Sequence, residues 1–289
     1  MYGKIRSFLR KKSRCFLYNI KVKIRSNKIF LNDFITVWWW DAGKDNWGDA
    51  LNPFLVEYIS GKKPLKSDCF FPSLKINPTY SVIGSILEKA SNKEKLIIWG
   101  SGFLYETGQL NKEPLKIAAV RGPLTRNIIL NQGIECPEIY GDPALLLPRY
   151  YFPKRTKKYK LGVIPHHIDQ DNSLIDNFRS NKDVLIIDIL GDIHEFVDDI
   201  CSCENVASSS LHGLIAADSY GVPSVWIKLS DKILGDGFKF RDYYLSIKKE
   251  DVSPMIIDES TTVENICAKA QKNMIQLDLD KLLDSCPFK

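Results

Sequence analysis

NVASSSLHGLIAADSYGVPSVWIKL, residues 205–229, carries the clearest pattern of alternating strand and helix. An apolar strand ends in Ser208, Ser209 and Ser210, Leu211 and His212 open a helix, Gly221 closes it, and PSVWIKL returns as a second strand. Strand, helix and strand in this order build a parallel sheet, because parallel neighbours need a crossover connection. The same alternation continues outward on both sides. Upstream come KLGVIPHH (160–167), DVLIIDIL (183–190) and a helix around HEFVDDICSC (194–203). Earlier still, ITVWWW (35–40) reads as a buried strand and ALNPFLVEYIS (50–60) as a helix. YSVIGSILEKA (80–90), KLIIWGSGF (95–103), KIAAVRG (116–122) and EIYGDPALLLP (138–148) follow. In GPLTRNIILNQG (122–133), Pro123 marks a helix start and Gly133 its end. The last stretch, TVENICAKAQKNMIQLDLDKLLDSC (262–286), has apolar residues at helical spacing throughout.

PRYYFPKRTKKYK (148–160) has prolines, aromatics and cations but no periodicity, and reads as a linker. The expected fold is therefore α/β, with two Rossmann-like domains of parallel strands covered on both faces and a cleft between them. The divisions fall at a basic arm over 1–30, a first domain over 31–150, and a second domain with closing helices over 151–289. At 289 residues the chain is long for one core.

Composition narrows the function. The chain is 44% hydrophobic and 26% charged, as in folded water-soluble proteins. No run approaches the ~20 apolar residues of a membrane span, and the start lacks the apolar core of a secretory signal. The expected location is cytoplasmic. Cys15, Cys69, Cys136, Cys201, Cys203, Cys267 and Cys286 form no paired CxxC, so reduced thiols are expected and no metal site. Met1 to Lys28 holds ten Lys or Arg and no acid, interleaved with Phe8, Leu9, Phe16, Leu17, Tyr18 and Ile20. Such an arm suits the inner face of an anionic membrane; a solvated tail is the alternative. Nucleic acid is disfavoured, because the rest of the chain is mildly acidic and has no aromatic–basic RNA-binding motif.

In parallel sheets, ligands bind where strand ends open into helix N-termini. Four segments qualify. Asn46, Trp47, Gly48 and Asp49 follow the first strand, with a glycine for close approach and polar groups for sugar hydroxyls; capping of the helix by Asp49 is compatible with that. Gly100, Ser101 and Gly102 can cradle an anion on backbone N–H groups. Arg121 ends an apolar strand, where burial demands a partner: an anionic ligand, or an internal ion pair with Asp142. Ser208 to His212 gather hydroxyls, a helix N-terminus and a base. A histidine in a first turn is held neutral by the helix dipole and can accept a proton at pH 7; a structural histidine held by the serines is the alternative.

NWGDALNP, VRGPLT, GDPALLLP and SSSLHGLIAADSYGVPS, in this order, resemble the polysaccharide pyruvyl transferase family, over about Trp38 to Leu245. The resemblance implies a GT-B-like pair of Rossmann domains. It also implies transfer from phosphoenolpyruvate to a sugar of a bacterial surface polysaccharide, such as capsule, forming a pyruvate ketal. The donor is a substrate, and no cofactor or metal is implied. The acceptor would be an oligosaccharide or a lipid-linked sugar. The histidine of the Leu-His pair, here His212, serves such proteins as acid and base, and Arg121 matches their donor-binding arginine. Ser209, Ser210, Leu211, Gly100, Ser101 and Gly102 join the donor side; Asn46, Trp47, Gly48, Asp49 and Asp142 join the acceptor side. One position departs. Many members carry Arg or Lys before Leu-His, where this chain has Ser210. Either Lys239 or Arg241 in DGFKFRDYY replaces that cation, or the donor differs. A glycosyltransferase of the same architecture, using an activated sugar, is the alternative function.

Overall fold

The computed structural model describes residues 33–40, 46–69, 78–154 and 156–289. The basic arm lies outside them. Ten strands form two five-stranded sheets, each wholly parallel. The first sheet comprises β1 (Phe34–Trp38), β2 (Lys63–Lys66), β3 (Thr79–Ser81), β4 (Leu96–Trp99) and β5 (Lys116–Ala119), in the order β2-β1-β3-β4-β5. The second comprises β6 (Tyr159–Ile164), β7 (Val184–Ile186), β8 (Cys203–Ser208), β9 (Ser224–Lys228) and β10 (Met255–Ile256), in the order β10-β9-β8-β6-β7. Both sheets thus repeat one winding, in which the order reverses between the first and third strands. That reversal opens the crevice in which doubly wound sheets place ligands. In this chain it falls between β1 and β3, and between β6 and β8.

Local chemistry explains the helices that start at those crevices. α1 (Trp47–Ser60) starts three residues before the reading of the sequence placed it, because Asn46 rather than Asp49 is its cap. The Asn46 carboxamide oxygen accepts the amides of Gly48 (3.0 Å) and Asp49 (3.2 Å), satisfying two otherwise orphaned donors. Pro53 inside the helix has no N–H for the Asp49 carbonyl. The Asn52 side chain reaches both that carbonyl and the Gly48 carbonyl in its place. Asn52 also accepts from the Ile83 amide and donates to the Ile83 carbonyl, fastening α1 to the exit of β3. Gly61 ends the helix at φ +64°, a left-handed turn that glycine enters without strain.

α2 (Leu87–Ala90) and α3 (Pro123–Asn131) complete the first half, with Pro123 in the first turn as expected; Gly133 follows at φ +76°. A 3₁₀ turn, Pro143–Arg149, leads into the irregular linker. α4 (Ser173–Arg179), α5 (Ile193–Ser202), α6 (Leu211–Ser219) and α7 (Phe238–Ser246) belong to the second half. One hydrophobic core joins the halves, running from Val37, Trp47 and Leu51 through Ile187, Phe196 and Leu214 to Tyr243.

One expectation about the chain end is corrected. The stretch 262–286 is not one helix but two, α8 (Val263–Lys269) and α9 (Leu279–Asp284). Between them, the Gln271 backbone exchanges hydrogen bonds with Ser224, and Asn273 donates to the buried Asp218 carboxylate. Those long-range bonds outweigh the helical periodicity. The final segment packs on the first sheet: the Trp99 indole N–H donates to Leu282 O (3.0 Å), and Phe288 packs edge-on against Trp99 and Tyr80.

Candidate active site

The end of β8 turns sharply into α6. Ser208 and Ser209 are buried and hold that turn: the Ser208 hydroxyl accepts the Ser210 amide (3.0 Å), and the Ser209 hydroxyl accepts the amide of His166 on the neighbouring strand exit (2.9 Å). Ser210 caps α6 without a side-chain bond. His212 follows in the first turn, against the first turn of α1 from the other half. A Cβ placed on Gly48 would stand 2.0 Å from His212 Nδ1, so the glycine is what lets the ring and the helix meet. His212 Nε2 is sealed from solvent and has no hydrogen-bond partner. Burial first, then the positive fields of Lys239 and Arg121, push this imidazole down to about 3. It is therefore neutral at pH 7, and an anion bound beside it, by offsetting those positive fields, would raise its basicity.

Lys239, at the start of α7, places a cation near His212. It is 9% exposed, its ammonium lies 5.4 Å from the centre of the Phe240 ring, and it makes no hydrogen bond to any described residue. Burial and the Arg121 field lower it to about 8, opposed by the Asp49 carboxylate. A cation so enclosed is costly unless a counter-charge arrives. Arg241 lies elsewhere: it donates to Asp236 O and lines a separate cleft with Tyr244, Leu245 and Lys249. Of the two expected replacements, only Lys239 shares a site with His212.

Several other expected site residues are engaged by bonds or packing within the fold. Arg121 is wholly buried; its Nε pairs with Asp242 (2.9 Å), not with Asp142, while Nη1 donates to the Ser85 hydroxyl and Nη2 to Phe103 O. Two of its five N–H groups stay uncommitted, and its charge acts on the site mainly as a field on His212 and Lys239. The glycine turn after β4 is not an open cradle. Gly100 donates to Ala119 O, Gly102 donates to Gly84 O, and Ser101 is buried with its hydroxyl on Ser81. Gly100 adopts φ +92°, with Pro143 where a Cβ would sit. Trp47 is buried in the seam, packed on Phe196 and donating to Ile193 O, so it cannot receive an acceptor sugar. Leu211 puts its side chain in the core, leaving only its backbone to a ligand. Asp142 caps the 3₁₀ turn through the Ala144 amide; burial raises its carboxyl to about 7.

With this geometry in place, similarity to known proteins decides the family. The family model for polysaccharide pyruvyl transferase matches residues 6–231. The chain belongs to the polysaccharide pyruvyl transferase family. An uncharacterized protein of Acanthamoeba polyphaga mimivirus is 32% identical over 205 residues, 68% of this chain and 69% of that protein. The succinoglycan biosynthesis protein ExoV of Rhizobium meliloti is 28% identical over 212 residues, 71% of this chain and 63% of that protein. A crystal structure of an uncharacterized Klebsiella pneumoniae protein aligns with TM-score 0.48 and 13% identity, over 83% of this chain and 98% of that one.

In this pyruvyl transferase family member, three residues around the site carried no signal strong enough to be chosen from sequence. Asp242 sits among Phe240, Tyr243 and Tyr244, where a lone acid in an aromatic run hints at a buried partner. Asn52 precedes a proline within a helix. His166 lies just past the end of β6, in KLGVIPHH, beside the point where the strand order reverses, which the crevice rule would have picked out once that order was known. Among the described residues no cluster of His, Cys, Asp or Glu could hold a metal ion, and no helix is long and apolar enough to cross a membrane.

The Gly48–His212 contact gives a direct test of the site. Gly48→Ala should displace the imidazole, since the ring would have to retreat by more than 1 Å to clear the new methyl. Misplacement on that scale costs about a hundredfold in rate. Turnover of Gly48→Ala within threefold of wild type would show that the ring position does not matter.

Proposed function

We propose that this protein takes part in polysaccharide biosynthesis by moving a pyruvyl group from phosphoenolpyruvate to two hydroxyls of one sugar. The observation that carries this reading is the enclosed, unpartnered Lys239 ammonium beside the neutral His212, a pairing of counter-charge and base. Family membership and the resemblance to ExoV support the biosynthetic role.

On this reading the two sheets form a GT-B-like pair, with the donor held between α1 and α6. Lys239 and the α6 amides balance the donor's carboxylate and phosphate, and Arg121 deepens the positive field from behind. His212 takes the proton of the first sugar hydroxyl as its oxygen bonds to C2 of the enol, while a proton from solvent adds to C3 and makes it a methyl group; His212 then returns its proton to solvent. The second hydroxyl bonds to C2 and gives its proton to the departing phosphate, the C2–O bond to phosphate breaks, and inorganic phosphate leaves with the electron pair. Atoms and charge balance without a redox step. Asn46 and Asp49, at the mouth of α1, lie on the acceptor side. The acceptor is an oligosaccharide or a lipid-linked sugar, and the cations of the arm would hold the protein where lipid-linked acceptors lie.

The test is thermal stabilisation by phosphoenolpyruvate against a panel of nucleotide sugars, repeated from pH 7 to 10. An anion prefers the charged form of Lys239, so binding should be level below about pH 8 and weaken above it. The fall approaches tenfold per unit once the ammonium is largely deprotonated. Stabilisation by a nucleotide sugar, with none by millimolar phosphoenolpyruvate, would replace this reading by the glycosyltransferase one.

A further inference from the structure

We infer that His166 is a second histidine of the donor site, presenting its Nε2–H to a phosphoryl oxygen of the bound anion; this rests on the proposed anion site beside Lys239. The placement comes from the sheet. β6 and β8 run in register, Ile164 beside Ser208, and they flank the crevice where the strand order reverses. His166 and Ser210 each lie two residues past that pair, and the His166 amide is tied to the Ser209 hydroxyl. His166 therefore leaves one lip of the crevice and His212 leaves the other.

The ring's own bonds fix which nitrogen can serve. Nδ1 accepts the amide of Ile168 at 3.3 Å, so in the neutral imidazole the proton is on Nε2. Nε2 makes no hydrogen bond to any described residue. The ring is kept neutral by burial and by the fields of Lys239, His167 and His212. His167 packs against it with ring centroids 4.2 Å apart. A neutral imidazole with its N–H free is a hydrogen-bond donor that adds no charge. That suits a site already holding one ammonium and a guanidinium field.

A purely structural reading gives the ring one task, holding the 166–169 turn through Nδ1. Two substitutions separate the readings. Asparagine places a carboxamide near Nδ1, keeping the turn and removing the far donor; glutamine places an N–H near Nε2 and gives up the turn. Binding of phosphoenolpyruvate and of inorganic phosphate to the full chain should weaken about tenfold or more in His166→Asn, the loss of one hydrogen bond to a charged group. His166→Gln should stay within about threefold of wild type. In wild type, the imidazole ¹⁵N signal of His166 Nε2, not Nδ1, should move on adding phosphate. Wild-type affinity in His166→Asn, or a larger loss in Gln than in Asn, overturns the inference. If a nucleotide sugar binds and phosphoenolpyruvate does not, the pyruvyl reading falls. The same two variants, titrated with that nucleotide sugar, then decide His166 independently.

Discussion

Asp242→Ala is expected to destabilise the fold by about 3–5 kcal/mol, the cost of leaving a buried charge without its partner. Asp242 and Arg121 are both fully buried. The loss reaches beyond the ion pair. The Asp242 carboxylate also accepts the Thr125 amide (3.0 Å) and hydroxyl (2.7 Å), so three donors are orphaned together. These groups join the exit of β5 and the start of α3 to α7. The pair thus locks the element carrying Lys239 onto the first half. Burying a complete pair is not itself a large gain, since desolvation offsets most of the attraction. Arg121→Met combined with Asp242→Leu should therefore recover the part due to the unpaired guanidinium, while the two Thr125 donors stay orphaned. Urea unfolding of the three variants measures this. A loss below about 1 kcal/mol in Asp242→Ala would mean that the guanidinium is solvated in solution.

His212→Gln should reduce turnover by about a hundred- to ten-thousandfold, the usual contribution of a positioned acid–base group. Glutamine keeps a polar atom near Nε2 but cannot hold a proton in transit. Folding should be little affected, because the ring makes no hydrogen bond that the fold depends on. Phosphoenolpyruvate affinity should change only severalfold, because Lys239 and the α6 amides carry the anion. A drop in kcat with melting temperature and donor affinity preserved is the expected pattern. Turnover within tenfold of wild type would remove His212 from the chemistry.

The parallel α/β layout was legible because each strand–helix alternation is local: period, cap and closing glycine all lie within a dozen residues. The turn at Ser208 to His212 was legible for the same reason. What escaped depends on distant partners. Asp242 meets Arg121 across 121 positions, so sequence could say only that Arg121 needed a partner, and the suggested Asp142 lies at a different cap. The Gly100–Gly102 turn has the composition of an anion cradle, but composition cannot show that its amides are already bonded to Ala119 and Gly84. The break in the 262–286 helix likewise follows from Ser224 and Asp218, far upstream. His166 went unchosen because its importance comes from strand order, which only the assembled sheet reveals.

The central claim is the chemistry, and product analysis tests it most directly. Wild-type protein would be incubated in heavy water with phosphoenolpyruvate and sugars bearing hydroxyl pairs able to close a ring, then followed by phosphorus and proton NMR. The account predicts one inorganic phosphate released per ketal methyl formed. That methyl should carry one deuterium, taken up as C3 is protonated, and with His212→Gln it should form about a hundred- to ten-thousandfold more slowly. A glycosidic linkage formed from a nucleotide sugar, or phosphate released without any ketal methyl, would contradict it.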